Sequence, residues 1–266
     1  MFDVPESRRP RCIAIANQKG GVGKTTTAIN LGAALAAEGQ RVLVIDLDPQ
    51  GNASTGLGID VDQRGVTTYD LLIENMPLRE IVLPTGVDNL WIAPSTTDLS
   101  SADVELVSNE NRVFLLKDAL APAMVAGFDI ILMDCPPSLN LLTVNAMVAA
   151  DAVLVPLQSE FFALEGLSQL MLTIREVRQS ANPALRIEGV VLTMYDMRNN
   201  LCRQVEEDAR ENLGDLVYQT RIPRNVRLSE APSYAMSILQ YDPTSRGSEA
   251  YRDLAREVLD RQLQQA

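Results

Sequence analysis

Two lysines lie close together in one short glycine-rich window of this sequence. Lys19 and Lys24 both fall within residues 18–26, which read QKGGVGKTT, although the whole chain has only three lysines beside 20 arginines. An ammonium group is a compact point charge that suits a phosphate oxygen. Glycines in such a turn let backbone N–H groups approach an anionic ligand closely. The window therefore predicts a triphosphate site with one lysine more than the site needs.

The remaining residues of the window fit a phosphate-binding loop that opens a helix. Lys24 is expected to reach the β- and γ-phosphates, and the Thr25 hydroxyl to coordinate Mg²⁺. The usual pattern G-x-x-x-x-G-K-[ST] needs glycine at position 18, where this chain has Gln18, so the loop is the variant KGGxGKT. The residues expected to line the bound nucleotide here are Lys19, Gly20, Gly21, Val22, Gly23, Lys24, Thr25 and Thr26.

Acidic residues follow two apolar stretches further along the chain. Asp134 ends the run IILM, the arrangement that holds Mg²⁺ directly or through water. Asp46 and Asp48 close a second run, and Asp48, further into the loop, is the better candidate to orient or deprotonate an attacking water. Asp46 is a candidate for a structural role, and the alternative for both is that they only cap the strand end. The stiff segment 134–138, DCPPS, suits a sensor of the γ-phosphate.

The composition excludes several other chemistries. The chain has no histidine, which removes Ser-His-Asp and Cys-His schemes. Its three cysteines are widely spaced, and the N-terminus has no apolar segment typical of a secretory signal, so we expect a cytoplasmic protein. The net charge of −12 argues against a generally basic nucleic-acid-binding surface but not against a local basic patch.

Strand-like and helix-like stretches alternate along the whole chain. This pattern predicts an α/β fold with a doubly wound, mostly parallel sheet flanked by helices, that of a P-loop NTPase. We expect residues 1–10 to form a flexible N-terminal segment and residues 11–266 to form a single ATPase domain. Predicted strands cover 12–16, 41–45, 90–93, 129–133, 152–155 and 187–193. Predicted helices cover 25–37, 102–125, 139–149, 163–179, 201–212 and 248–264.

Several separate motifs, in order, resemble the ParA/Soj family of chromosome-partitioning ATPases, which belong to the MinD/ParA superfamily with a deviant Walker A loop. The motifs are NQKGGVGKTTT (17–27), DLDPQGN (46–52), DCPPS (134–138), ALEG (163–166), IPRNVRLSEAPS (222–233) and YDP (241–243). The resemblance implies ATP and Mg²⁺ as cofactors, with Thr25 and Asp134 on the metal side. It implies that Asp48 is the hydrolytic residue and that Pro223 and Asn225 lie near the adenine.

The same resemblance implies partners and a cycle. In that family the extra lysine, here Lys19, reaches the partner's phosphates in an ATP-bound homodimer. The dimer binds non-specific DNA, which implies nucleoid association, and a ParB-type centromere-binding protein stimulates hydrolysis. By resemblance, Arg198 and Arg227 match the positions of DNA-contacting arginines in that family. Arg203 is a further candidate, because it lies with Arg198 at the start of the helix predicted over 201–212.

The arginines also have a simpler interpretation. Arg221, Arg224 and Arg227 fall three residues apart with no acid among them. The alternative is that these arginines, with Arg198 and Arg203, pair with Glu206, Glu207, Asp208 and Glu211 as a solvated helix face, and Arg224 could instead serve the nucleotide pocket.

Two related functions remain as alternatives. A MinD-like ATPase that cycles on membranes needs a basic amphipathic tail, whereas the tail at 251–261 has balanced charge. Its apolar positions 251, 254, 255 and 258 repeat at helical spacing and predict a face that docks on the core. We therefore expect no membrane partner. A nucleotide-dependent polymerising scaffold is the second alternative.

Overall fold

The computed structural model describes residues 9–121, 125–160 and 163–265. The predicted flexible segment, residues 1–10, lies outside the described residues except for Arg9 and Pro10. Among the described residues, no helix combines the length and apolar character that crossing a bilayer requires.

The strands form one eight-stranded sheet in the order β3-β4-β2-β5-β1-β6-β7-β8. All neighbouring strands run parallel except β3, which is antiparallel to β4. The predicted doubly wound, mostly parallel sheet is confirmed. The strands are β1 Arg11–Ile15, β2 Val42–Asp46, β3 Leu83–Pro84, β4 Leu90–Ala93, β5 Ile130–Asp134, β6 Ala152–Gln158, β7 Arg186–Tyr195 and β8 Val217–Pro223.

Helices cover both faces of this sheet. The central strands β1, β2 and β5 are buried at every residue, as near-continuous apolar runs require when both faces are covered. The helices are α1 Lys24–Ala37, α2 Asn52–Gly56, α3 Thr68–Ile73, α4 Leu78–Ile81, α5 Ala102–Glu105, α6 Leu115–Ala119, α7 Leu141–Ala149, α8 Ala163–Ser180, α9 Asn200–Leu213, α10 Val226–Glu230, α11 Ile238–Tyr241 and α12 Arg246–Gln265.

The two sheet faces bury separate apolar clusters. Side chains alternate between faces along a strand, so in β1 Cys12 belongs to one cluster and Ile13 to the other. Helix α12 packs beside α1 on the face of Ile13. The apolar positions predicted to dock this last helix are buried, namely Tyr251, Leu254, Ala255 and Val258.

One predicted helix was wrong, and the strands β3 and β8 were not predicted. The helix predicted over 102–125 is interrupted, because the Asn109 side chain accepts a hydrogen bond from the N–H of Asn111 at 2.8 Å. Such a local turn competes with helical hydrogen bonding. Strand β8 was missed because it lies at the sheet edge and mixes buried and exposed residues. The other predicted strands and helices begin and end within about three residues of those observed.

Candidate nucleotide site

The register of the parallel strands brings the predicted acidic residues and the glycine loop to one edge of the sheet. In the parallel pairing, Asp134 at the end of β5 lies beside Ile15 of β1 on one side and Asp46 of β2 on the other. The glycine loop follows β1 directly, so it emerges beside the acidic end of β5, with the acidic end of β2 one strand further. Ligands of open α/β sheets bind in this position, beyond the carboxyl ends of the strands.

The glycine loop has the backbone that an anion cradle needs. Gly21 and Gly23 have φ of 74° and 90°, and Gly23 is the residue that caps the N-terminus of α1. The carbonyl of Val22 accepts a hydrogen bond from the Thr193 hydroxyl of β7 at 2.8 Å. The first turn of α1 has no acidic residue. The helix terminus therefore presents N–H groups and the positive end of its dipole to a phosphate.

The two lysines of the loop point in different directions. The Nζ of Lys24 lies across the loop and donates to the carbonyl of Lys19 at 3.0 Å. Burial lowers the pKa of Lys24, while the nearby carboxylate of Asp134 acts to raise it. The Nζ of Lys19 instead donates to Oε2 of Glu160 at 2.6 Å. The Lys19 side chain is 38% exposed and that of Glu160 is 46% exposed, so this pair lies at the rim of the site.

Asp134 is a buried carboxylate without hydrogen bonds. Among the described residues, neither of its oxygens has a hydrogen-bond partner. Burial raises the pKa of Asp134 well above its usual range, Asp46 raises it further, and the Thr25 hydroxyl opposes both effects. An unpaired charge in such a place is costly unless a cation balances it. The Thr25 hydroxyl and the Asp134 carboxylate therefore fit a Mg²⁺ ion, which prefers oxygen ligands and few carboxylates.

The hydrogen bonds of Asp46, which ends β2, differ from those of Asp48, which follows it. Oδ1 of Asp46 accepts the N–H of Asp48 at 3.1 Å, and Oδ2 accepts the N–H and hydroxyl of Ser54 at 2.9 and 2.7 Å. Asp46 therefore holds the following loop, which favours the structural role considered for it. Asp48 accepts only the N–H of Gln50, at 3.0 Å through Oδ1, within the described residues. Its second oxygen is left for a ligand or water.

A cavity of about 450 Å³ opens beside Gly23 and Thr26. Pro223 and Asn225 line it, in the position expected for a nucleotide base. The Oδ1 of Asn225 accepts the N–H of Arg227 at 2.8 Å, which fixes the amide at the start of α10. The wall is mainly apolar, with few polar groups, as in most small-molecule sites. Residues that complete the wall include Met194, Ile222, Val226, Leu228 and Tyr251.

The predicted DNA-contacting arginines are all exposed. The Arg198 side chain is 91% exposed and pairs with Asp196 at 2.9 Å. Arg203 is exposed and donates to the Asn200 side chain. Arg227 is 54% exposed and pairs with Glu230 at 2.9 Å.

Arg221 differs from the other arginines of its row. Its Nε donates to Glu206 at 2.7 Å, and Glu206 also accepts hydrogen bonds from Tyr195 and Arg210. Arg221 therefore pairs with one of the acids that the alternative named, but Glu206 is buried, so this pair is not a solvated helix face. Arg203 makes no ion pair within the described residues. Arg224 lines the cavity beside Gly23, and its role in nucleotide binding stays a prediction.

Sequence reasoning missed several residues that shape the site. Thr193 anchors the glycine loop, Glu160 pairs with Lys19, and Ser54 fixes Asp46. Tyr251 lines the base cavity while its hydroxyl lies 3.2 Å from that of Thr27. No motif marks Glu160 or Ser54 as partners of the site, and the helical spacing that includes Tyr251 indicated only a core-docking face. Thr193 gave a signal because it lies near the carboxyl end of β7, where the strands of parallel sheets line such sites.

Comparisons with known proteins show what the whole chain is similar to. A family model described as an AAA domain matches residues 10–187. The chain is 58% identical over 253 residues to the chromosome partitioning protein ParA of Caulobacter vibrioides, covering 95% of each chain. It is 52% identical over 251 residues to the chromosome-partitioning ATPase Soj of Thermus thermophilus, covering 94% of this chain and 96% of that one. Among solved structures, it is similar to cobyrinic acid a,c-diamide synthase from Mycobacterium smegmatis with bound ADP and magnesium. The TM-score is 0.82, with 37% identity and 94% of both chains covered.

Proposed function

Since the chain belongs to the ParA/Soj family of chromosome-partitioning ATPases, we propose that it works as an ATP-driven switch on DNA. In this proposal two subunits bind ATP and Mg²⁺, dimerise, and together hold non-specific DNA of the nucleoid in the cytoplasm. A ParB-type centromere-binding protein then stimulates hydrolysis, which releases the DNA. Residues 11–266 act as one domain, and the single sheet that runs from Arg11 to Pro223 supports this.

The observation that carries the proposal is the divergence of the two lysines. Lys24 lies across its own loop, whereas Lys19 is held at the rim by Glu160. A lysine at the rim can reach the phosphates of a second subunit that docks there. Two such contacts contribute about 1.5–3 kcal/mol each. Releasing each exposed pair costs only about 0–1 kcal/mol. The net gain from both contacts is therefore about 1–6 kcal/mol, and a shift from 1:99 to 99:1 needs about 5.5 kcal/mol, so contacts of Lys19 can supply a substantial part of the switch.

Within one subunit, each residue has a defined task. The backbone of residues 20–25 and the Nζ of Lys24 bind and orient the phosphates. Thr25 and Asp134 hold Mg²⁺, which supplies positive charge that balances the charge developing on the phosphates. Asp46 fixes the backbone at Asp48. Asp48 accepts a hydrogen bond from the attacking water and directs it towards the γ-phosphate.

Binding to DNA by an acidic protein depends on arginine geometry. Arg198, Arg203 and Arg227 are all exposed, although the chain carries −12 overall. One subunit offers few phosphate contacts and binds weakly. A dimer doubles the number, and affinity depends on salt with a slope of about −0.9 for each neutralised phosphate. Dimerisation therefore becomes a condition for holding DNA.

Sedimentation with ATP, ADP and a slowly hydrolysed ATP analogue tests the dimer step. We expect wild type to dimerise with ATP and the analogue but not with ADP, and Lys19→Ala to lose this dimer. Lys117→Ala is the matched control, because Lys117 is the remaining lysine and its ammonium lies 6.0 Å from the Phe114 ring instead of in the site. ATP-dependent dimers of unchanged affinity in Lys19→Ala would refute the proposal, and filaments without DNA would favour the scaffold alternative.

A further inference from the structure

The loop that carries Asp48 rests on a buried arginine outside every motif described above. Arg64 is only 8% exposed. Its Nε and Nη2 donate to the carbonyl of Ile59 at 3.1 and 2.7 Å. Its Nη1 donates to the carbonyl of Ser95 at 3.1 Å, and Nη2 also donates to Oγ1 of Thr55 at 2.7 Å. The guanidinium group thus ties three separate stretches of chain together.

These hydrogen bonds lead directly to the catalytic turn. The Thr55 hydroxyl that accepts from Arg64 donates to the carbonyl of Gly51 at 3.1 Å. The N–H of Gly51 donates to the carbonyl of Asp48 at 2.9 Å and closes the turn 48–51. Gly51 has a φ of 61°, and a Cβ there would collide with Nη1 of Arg64. The guanidinium group therefore packs against the turn itself.

The segment that follows Arg64 supports the same loop from a second point. The Thr68 hydroxyl donates to the carbonyl of Asp46 at 2.9 Å. The N–H of Ser95 donates to Oγ of Ser54, which in turn donates to the Asp46 carboxylate. Asp46 and Arg64 thus hold residues 48–54 from opposite ends.

A purely structural role explains Arg64 poorly. None of its four hydrogen bonds goes to a carboxylate, and it makes no ion pair within the described residues. Burial of such a cation is costly for stability. A role in positioning explains this cost, because Arg64 packs against the turn that begins at Asp48, and a fork of fixed donors can hold several acceptors in one arrangement.

We propose that Arg64 is a positioning residue for hydrolysis: it holds the turn 48–51 so that Asp48 meets the attacking water. This inference rests on the proposed ATPase function and on the hydrolytic role of Asp48. Arg64 does not touch the nucleotide site, so its loss should slow turnover without weakening ATP binding. A misplacement of about 1 Å in such a group can cost on the order of 100-fold in rate.

The test compares Arg64→Met, which keeps an unbranched apolar stem, with Arg64→Lys, which keeps the charge but loses the fork. We expect kcat for ATP to fall roughly 10- to 100-fold in both variants. KM and the ATP-dependent dimer affinity should change by less than about 3-fold, because a purely positional defect leaves substrate binding intact. Arg41→Met is the control, since Arg41 forms an exposed pair with Asp129 at the opposite end of β2.

Chemical rescue of kcat distinguishes a misplaced Asp48 from a loss of folded protein. Guanidinium added at tens of millimolar should restore part of the kcat of Arg64→Ala and leave that of Arg41→Ala unchanged. The folded fraction of each variant is measured by circular dichroism in the same buffer. Full kcat in Arg64→Met, or a loss that matches a loss of folded protein and resists rescue, would overturn the inference.

Asp48→Ala is measured in parallel to keep the two hypotheses apart. If Asp48→Ala hydrolyses ATP at the wild-type rate, the proposed hydrolytic role fails, and the positioning role fails with it. If Asp48→Ala is inactive while Arg64→Met keeps full kcat, only the positioning role of Arg64 is refuted.

Discussion

Replacing Asp134 with asparagine should stabilise the nucleotide-free protein while it removes the response to magnesium. The carboxylate is fully buried, and its oxygens lack hydrogen-bond partners among the described residues. Asparagine has nearly the same shape and no charge. The substitution therefore removes the cost of a buried negative charge and also the ligand that we assign to Mg²⁺.

The sign and the size of the effect follow from the pKa of Asp134. Its pKa in the fold is raised, first by burial and then by Asp46, so the folded state holds the proton more tightly than the unfolded chain. The free-energy cost of burying the ionised carboxylate is absent below about pH 3.9, the pKa of an aspartate in the unfolded chain. It grows as pH rises towards the folded pKa. Asparagine also lacks partners there, so the gain is only the additional cost of the charge, and a rise of one pKa unit corresponds to about 1.4 kcal/mol. Since about 1 kcal/mol moves the Tm of a protein of this size by about 2–4 °C, Asp134→Asn should raise the Tm by at least about 2 °C at pH 7.5.

Thermal unfolding at pH 5 and pH 7.5, with and without Mg²⁺ and ATP, measures this prediction. The gain from Asp134→Asn should be larger at pH 7.5 than at pH 5, and added Mg²⁺ and ATP should raise the Tm of wild type more than that of the variant. Asp129→Asn is the control at the start of the same strand, because a hydrogen bond from Arg41 lowers the pKa of Asp129 and its substitution should not stabilise. A lower Tm for nucleotide-free Asp134→Asn, or an unchanged shift with Mg²⁺ and ATP, would refute the reasoning.

Three further substitutions test other contacts of the site. Ser54→Ala removes the hydroxyl donor to Asp46 and the acceptor of the Ser95 N–H, so we expect a loss of about 1–3 kcal/mol in unfolding free energy and slower hydrolysis; unchanged urea unfolding would contradict this. Thr193→Val removes the hydrogen bond to Val22 and should weaken ATP binding about 2- to 12-fold, from about 0.5–1.5 kcal/mol, measured by calorimetry against Thr173→Val as a surface control. Arg227→Glu should abolish DNA binding in a filter assay and leave the ATP-dependent dimer intact; loss of both would exclude a specific DNA contact.

Much of the site could be predicted from the sequence because its signals are local. The glycine loop needs a strand before it and a helix after it, and both were recognised from neighbouring residues. Asp134 and the pair of Asp46 and Asp48 were found because apolar runs end at them. The parallel register then places those strand ends together, as the alternation of strands and helices predicted.

The contacts that adjust the site were not predictable. Lys19 pairs with Glu160, which lies 141 residues away, and Thr193 anchors Val22 from 171 residues away. Neither partner belongs to a motif. The helix predicted over 102–125 shows the opposite error, because a local turn at Asn109 overrode a favourable helical composition.

The sequence by itself determined the fold class, the phosphate loop and the set of acidic residues, because each depends on residues a few positions apart. Only the tertiary structure decided what those residues do. It separated Asp46, which holds the loop, from Asp48, which remains open to a ligand. It shows Lys19 paired with Glu160 at the rim of the candidate nucleotide site, and Arg64 packed against the turn 48–51. The physical reason is that these roles depend on which distant chain segments meet and with what hydrogen-bond geometry, and neither periodicity nor spacing encodes that information.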